Sequence, residues 1–180
     1  MKYTPEQLVQ MAIKNGACKA AVIEVKKVPF STEFRAACEA NACGVYGRCW
    51  MCPPDIGPID QLIAKASGYQ QVLVYQTVSD LEDSFDFEGM QEAGNRHNKL
   101  SMALQERLAG EEVLHLGAGG CRVCERCAKL DNEPCRAPDK ALSSLEAYGI
   151  NVSRLAPAAG MNYINGQNTV TYFGAVFFND

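Results

Sequence analysis

The stretch "QVLVYQTV", Gln71 to Val78, is the clearest strand in the chain. β-branched and aromatic residues fill a short apolar run, as they do in a strand buried inside a sheet. Working outward, "AAVIEV" (Ala20 to Val25) reads as a second short buried strand. Between them "PIDQLIAKAS" (Pro58 to Ser67) has the look of a helix. Downstream, Leu100, Leu104 and Leu108 recur at helical spacing, which predicts a helix over residues 89–108. "EVLHLG" (Glu112 to Gly117) is another strand, and a helix is expected over residues 139–148, ended by Gly149.

At the N-terminus, Thr4-Pro5-Glu6-Gln7 is a helix start: Thr4 as N-cap, Pro5 at the first helical position, Gln7 closing a capping box. Leu8, Met11 and Ala12 form its apolar stripe and Gly16 stops it. Toward the C-terminus "NVSRLA" (Asn151 to Ala156) reads as a strand. Asn165-Gly166 is a hairpin signal, and "NTVTYFGAVFF" (Asn168 to Phe178) is a long strand. Strands alternating with helices predict the α/β class: one domain over 1–180, with a mixed, mostly parallel sheet, flanking helices and a C-terminal hairpin. No internal repeat and no low-complexity tract interrupts this pattern.

The chain has 180 residues, of which 47% are hydrophobic, enough for one domain with a sizeable core. Lys and Arg total 17 against 21 Asp and Glu, a net charge of -4, so the surface does not attract nucleic acid in bulk. No stretch approaches the roughly 18 consecutive apolar residues of a membrane span. "MKYTPEQLVQ" lacks the apolar region of an export signal, and the expected location is the cytoplasm. Nine cysteines in such a chain, an odd number, point to metal binding or redox work more than to disulfides.

Eight of the nine fall into two groups of four, which predict two metal-cluster loops at 38–54 and 117–138. The second is Cys121-x2-Cys124-x2-Cys127-x7-Cys135. A tetrahedral zinc ion is gripped by C-x2-C pairs brought together from distant chain, and a third cysteine at the next x2 step is awkward for one small ion. A [4Fe–4S] cubane is larger, so three successive loop thiolates reach three different irons, as in bacterial ferredoxins. Cys135 is then the local candidate for the fourth ligand. The first group, Cys38-x4-Cys43-x5-Cys49-x2-Cys52-Pro53, is less specific. It suits a second [4Fe–4S] cluster, with a zinc ion as the alternative. Two zinc ions in place of both clusters are the remaining option. Exchange of a fourth ligand between the groups, through Cys52 or Cys135, is also open. Cys18, alone at a helix–strand junction, reads as a small buried residue.

"CGVYGRCWMCPP" (Cys43 to Pro54), followed by "CRVCERCAKLDNEPCRAPDKALSSLEAYGI" (Cys121 to Ile150), resembles the cysteine-rich predicted metal-binding protein family of anaerobic bacteria and archaea. The resemblance runs from the first cysteine group to the terminal "YFGAVFF". It implies metal or iron–sulfur binding by the eight matching cysteines and no particular reaction.

Around the cysteines, Arg48, Arg122, Arg126 and Arg136 are candidates to offset the charge of an anionic cluster, or else plain solvated arginines. "GAGG" (Gly117 to Gly120) does not match a dinucleotide fingerprint; it reads as a flexible turn or as backbone that approaches cluster sulfur. Trp50 packs in the core, with shielding of a cluster as a by-product. His115 reads as a structural strand residue and His97 as part of a polar helical face. The acidic "SDLEDSFDFE" reads as a solvated loop. With so few histidines no Cys–His pair or serine triad is arguable. The leading function is electron transfer by two [4Fe–4S] clusters to or from a redox protein partner. The alternatives are a small iron–sulfur reductase or activator with a substrate pocket, and a zinc-stabilised interaction module. A radical-SAM enzyme is disfavoured because its C-x3-C-x2-C spacing is absent.

Overall fold

A computed structural model describes residues 1–179. The elements, in chain order, are α1 (Pro5–Lys14), β1 (Lys19–Glu24), α2 (Phe34–Glu39), α3 (Ile59–Ser67) and β2 (Gln71–Asp80). They continue with α4 (Phe87–Arg107), β3 (Leu114–Gly117), β4 (Ser143–Ser144), α5 (Val152–Ala158) and β5 (Thr169–Phe178). The five strands form one sheet in the order β1-β2-β5-β3-β4.

α1 starts where its sequence says. Thr4 Oγ1 accepts from the Gln7 backbone N–H at 3.3 Å, and the Gln7 side chain accepts from the Thr4 N–H at 2.9 Å. Pro5 occupies the first turn, where no N–H is needed.

The expected sheet was mostly parallel; the observed one is mostly antiparallel. β1 with β2, β2 with β5 and β3 with β5 all pair antiparallel, and only β3 with β4 is parallel. The reason lies in burial. Central antiparallel strands with helices on both faces carry the same continuous apolar runs as parallel ones. Along β2 the side chains alternate between two cores. Val72 and Val74 meet α3 and α5 through Leu62, Leu155 and Ala156. Leu73 and Tyr75 meet α1 and α4 through Leu8, Leu100 and Leu104. Gly174 of β5 lies opposite Tyr75, and a Cβ there would collide with the tyrosine ring and hydroxyl.

Two further expectations fail in the last third of the chain. Asn151 to Ala156 is helical, because Asn151 caps it: its side chain accepts from the Arg154 N–H at 3.2 Å. With no strand before Asn165-Gly166 there is no hairpin, and β5 pairs instead with the distant β2 and β3. Residues 139–148 are not one helix. Ser143–Ser144 joins β3, and a single 3-10 turn, Glu146–Tyr148, follows. Gly149 ends it at φ 72°, where a Cβ would stand 2.7 Å from the Ser31 carbonyl oxygen.

Candidate metal centre

All nine cysteines are free thiols. Cys18 corrects its expectation: it is exposed, because the turn after α1 leaves its side chain outside the sheet edge, and its thiol donates to the Gln76 carbonyl at 3.2 Å.

The first segment begins on a helix the sequence did not announce. α2 carries Cys38 in its last turn. Asn41, at φ 54°, reverses the chain, and its side-chain oxygen accepts from the Tyr46 N–H at 3.0 Å. Cys43 lies in this exposed turn. A second turn, with the Cys52 N–H donating to the Cys49 carbonyl at 3.0 Å, buries Cys49 and Cys52. The second segment leaves β3 through Gly117–Gly120 and carries Cys121, Cys124 and Cys127, all half-buried. A short 3-10 turn, Ala128–Asp131, and the left-handed Asn132 then bring Cys135 back.

Four side-chain contacts hold this region together. Trp50 Nε1 donates to the Glu133 carbonyl at 2.8 Å, with the Lys129 ammonium 4.3 Å from the indole centroid. Lys129 pairs with Asp55. Ser143 Oγ donates to the Met51 carbonyl at 2.7 Å, which ties the first segment to β4.

The thiols line two cavities, divided differently from the sequence. Cys38, Cys43 and Cys52 line one, beside Gly119 and Gly120. Cys121, Cys124, Cys127 and Cys135 line the other, and Cys49 joins them there. The thiol that leans across is Cys49, rather than Cys52 or Cys135. It lies within hydrogen-bonding reach of both Cys52 and Cys127, so it belongs to the boundary. Gly120 lies beside Cys52: a Cβ there would stand 3.7 Å from Cys52 Sγ, an ordinary van der Waals separation.

The electrostatics differ from thiol to thiol. The Cys52 thiol donates to Cys49, which holds Cys49 below the ordinary thiol range and, with burial, pushes Cys52 up. Burial raises Cys38, opposed by the Arg35 guanidinium. Burial also raises Cys121, opposed by the Val123 and Leu142 backbone.

Among the arginines beside the cysteines, Arg126 is paired with Asp131 at 2.9 Å and Arg136 with Glu133 at 3.2 Å. Arg122 passes over Gly94 of α4, where a Cβ would meet its Nη1 at 2.9 Å. The cation beside a thiol that sequence reading missed is Arg35. Its Nη2 donates to the Gly57 carbonyl at 2.8 Å, while its buried Nε has no partner. The available signal was its position three residues before Cys38, one helical turn away. Glu146 was missed as well. It lines the Cys38 cavity, and burial raises its carboxyl above the usual range, with Ser144 partly opposing this.

Behind Cys121 lies a second small cavity lined by His97 and Ser101. His97 is buried, not on a polar face, because that side of α4 packs on the sheet; its Nδ1 bonds Thr77 Oγ1 at 2.9 Å. His115 has the structural place expected, bonded to the Tyr75 hydroxyl and Gln105 Oε1 at 2.8 and 2.9 Å. The acidic loop leaves Phe85 and Phe87 exposed.

Among the described residues no three Cys, His, Asp or Glu side chains converge closely enough to grip one metal ion. The thiols surround cavities instead of a point. Among those residues, too, no helix is long and apolar enough to cross a membrane. Comparison with curated proteins and with solved structures gave no match. A family model does match, over residues 21–178, which takes in most of β1, every later element to β5 and both cysteine segments. The chain therefore belongs to the family described as "Predicted metal-binding protein (DUF2284)".

Proposed function

We propose that this chain is a cytoplasmic iron–sulfur protein: one domain whose two cysteine loops hold a [4Fe–4S] cluster each, exchanging single electrons with a partner redox protein. The observation that carries the reading is the place of Cys49. Two segments some seventy residues apart in sequence put their thiols around adjoining cavities, and one thiol touches both groups. Adjoining clusters suit electron passage; two unrelated structural ions have no need of a shared boundary.

The donor set fits such a group. It offers thiols in part-buried surroundings, an arginine beside Cys38 with an unpartnered buried N–H, and glycine backbone against Cys52. A single zinc ion with Zn–S near 2.3 Å needs its sulfurs roughly 3.8 Å apart. Thiols that encircle a space suit a wider body. The second cavity measures about 20 Å3, so its thiols must spread to admit a cubane. Residues 118–127 and 132–138 belong to no strand or α-helix, and such segments open at little cost.

When bound, a [4Fe–4S] cluster supplies one-electron exchange at a potential set by charge, hydrogen bonds and exposure. This chain's residues then do the rest. Cys38, Cys43 and Cys52 hold one group, and Cys121, Cys124, Cys127 and Cys135 the other. Trp50 and the Lys129–Asp55 pair keep water from the side of the second. Arg35 balances thiolate charge at the first.

The test is anaerobic purification with iron, acid-labile sulfide and zinc measured per chain. About eight irons with matching sulfide is the expected result. Stoichiometric zinc without sulfide or colour overturns it. A reductase or activator is the second reading, favoured by one observation: the Cys38 cavity measures about 390 Å3, within the range of small-molecule sites.

A further inference from the structure

The cavity over Cys38, Cys43 and Cys52 has three thiols and one carboxyl. Glu146 reaches it from the 3-10 turn after β4, which packs against α2. Its side chain is part-buried, and among the described residues it has no ion pair with a lysine or arginine. Its bonded partners are its own backbone N–H and the Ser144 side chain, neither of them a cation. A carboxylate withdrawn from water without a cation is costly to keep, and coordinating a metal is one of the few roles that compensates it. The eighth thiol sits at the boundary: Cys49 bonds Cys52, yet it lines the other cavity, with Cys121, Cys124, Cys127 and Cys135, and not this one.

From this division we propose that Glu146 supplies the fourth ligand of the first metal group, completing a site of three thiolates and one carboxylate. The inference rests on the iron–sulfur reading above. Iron accepts oxygen as well as sulfur donors, and a carboxylate exchanges on it more readily than a thiolate. The position at Glu146 is thus the one that opens, and it opens into a cavity of about 390 Å3 walled largely by apolar side chains such as Phe34 and Val45. The ligand class that fits is a small, mainly apolar molecule with one donor atom. The second group, with thiols on all sides, is the closed, electron-passing one.

The experiment uses the full chain, reconstituted anaerobically with 57Fe, in four forms: wild type, Glu146→Gln, Glu146→Cys and Cys49→Ser. Iron and sulfide are counted, and Mössbauer and EPR spectra are recorded with and without cyanide as a small probe ligand. The expected wild-type spectrum has one iron distinct from the rest, and cyanide perturbs one cluster only. Glu146→Gln loses that iron alone and gives a three-iron EPR signal. Cys49→Ser keeps it. Glu146→Cys keeps the full iron count, which shows that the fold tolerates change here, and no longer responds to cyanide. Loss of that iron from Cys49→Ser overturns the inference, whatever Glu146→Gln does. So does a Glu146→Gln protein with unchanged iron and spectrum, or a wild type in which cyanide has no effect. Failure of the underlying reading looks different: wild-type protein that takes up no iron or sulfide at all ends both.

Discussion

The two cysteine segments approach one another through Cys49, yet they are built differently. The first rests on α2 and two tight turns, and its three thiols look into a space of about 390 Å3. The second is an extended loop after β3 whose four thiols, with Cys49, close around about 20 Å3. Charge follows the same division. Two cations of the second segment, Arg126 and Arg136, are paired with Asp131 and Glu133, and a third, Arg122, lies over Gly94 of α4, whereas Arg35 at the first keeps an unpartnered buried N–H. A roomy site with free charge and a tight one with paired charge are not duplicates, although each has four cysteines in the sequence. Equal counts of cysteines do not make equal sites; what faces the cavity between them does.

The most forceful way to break this comparison is to remove thiols from one segment at a time. Cys124→Ser with Cys127→Ser is expected to remove the second group's metal, about half the iron, and to leave the first group's spectrum in place. Cys38→Ser with Cys43→Ser is expected to do the reverse. Iron and sulfide analysis with EPR reads both. If either pair empties the whole protein, the segments form one centre, and the division drawn from the two cavities is wrong.

What the sequence made legible here follows from how local each signal is. α1 could be read from Thr4 to Gln7 because its cap is made by four consecutive residues. The strands were legible from apolar runs, but their direction was not. A run such as Val72 to Tyr75 reports burial on both faces, and two helical layers bury an antiparallel strand as completely as a parallel one. Asn151 outweighed the strand-like "NVSRLA" through a single capping bond. The cysteine spacings pointed to metal binding, which the family match supports. They could not show that Cys49 turns toward Cys127, or that Glu146 stands across from Cys38, because both depend on a fold that brings distant segments together. Arg35 had a local signal, one turn before Cys38, obscured because α2 itself is only six residues long.

A second contrast concerns what stands behind each group, and pH sharpens it. Behind Cys121 is His97, held neutral by burial with its pKa pushed down to about 4; His115, deeper in the same core, is pushed down to about 3. An unfolded histidine takes its proton near pH 6.5. Between that pH and about 4 the unfolded chain binds more protons than the folded one, so stability is present above pH 6.5 and is lost as the pH falls. The loss is on the order of a few kcal/mol for His97. Urea melts at pH 7, 5.5 and 4.5 measure it, and His97→Gln is expected to flatten the slope while leaving His115's contribution. A slope unchanged in that variant would place the acid sensitivity elsewhere, in His115 or the Cys49 thiol, since the raised carboxyl of Glu146 acts with the opposite sign.

The smallest effect discriminates most finely between the two sites. Arg35→Gln removes the cation beside Cys38, and with it some of the balance against thiolate charge. Less positive charge favours the oxidised form, so the potential of one cluster should fall, by on the order of tens of millivolts. Arg126→Gln, at an exposed arginine already neutralised by Asp131, should shift neither potential. Redox titration followed by EPR resolves the two clusters and reads both variants. Equal shifts from the two arginines would mean that the potential responds to net charge at a distance. A shift from Arg35 alone means that the first site is tuned by contact, as a site that meets a ligand needs to be.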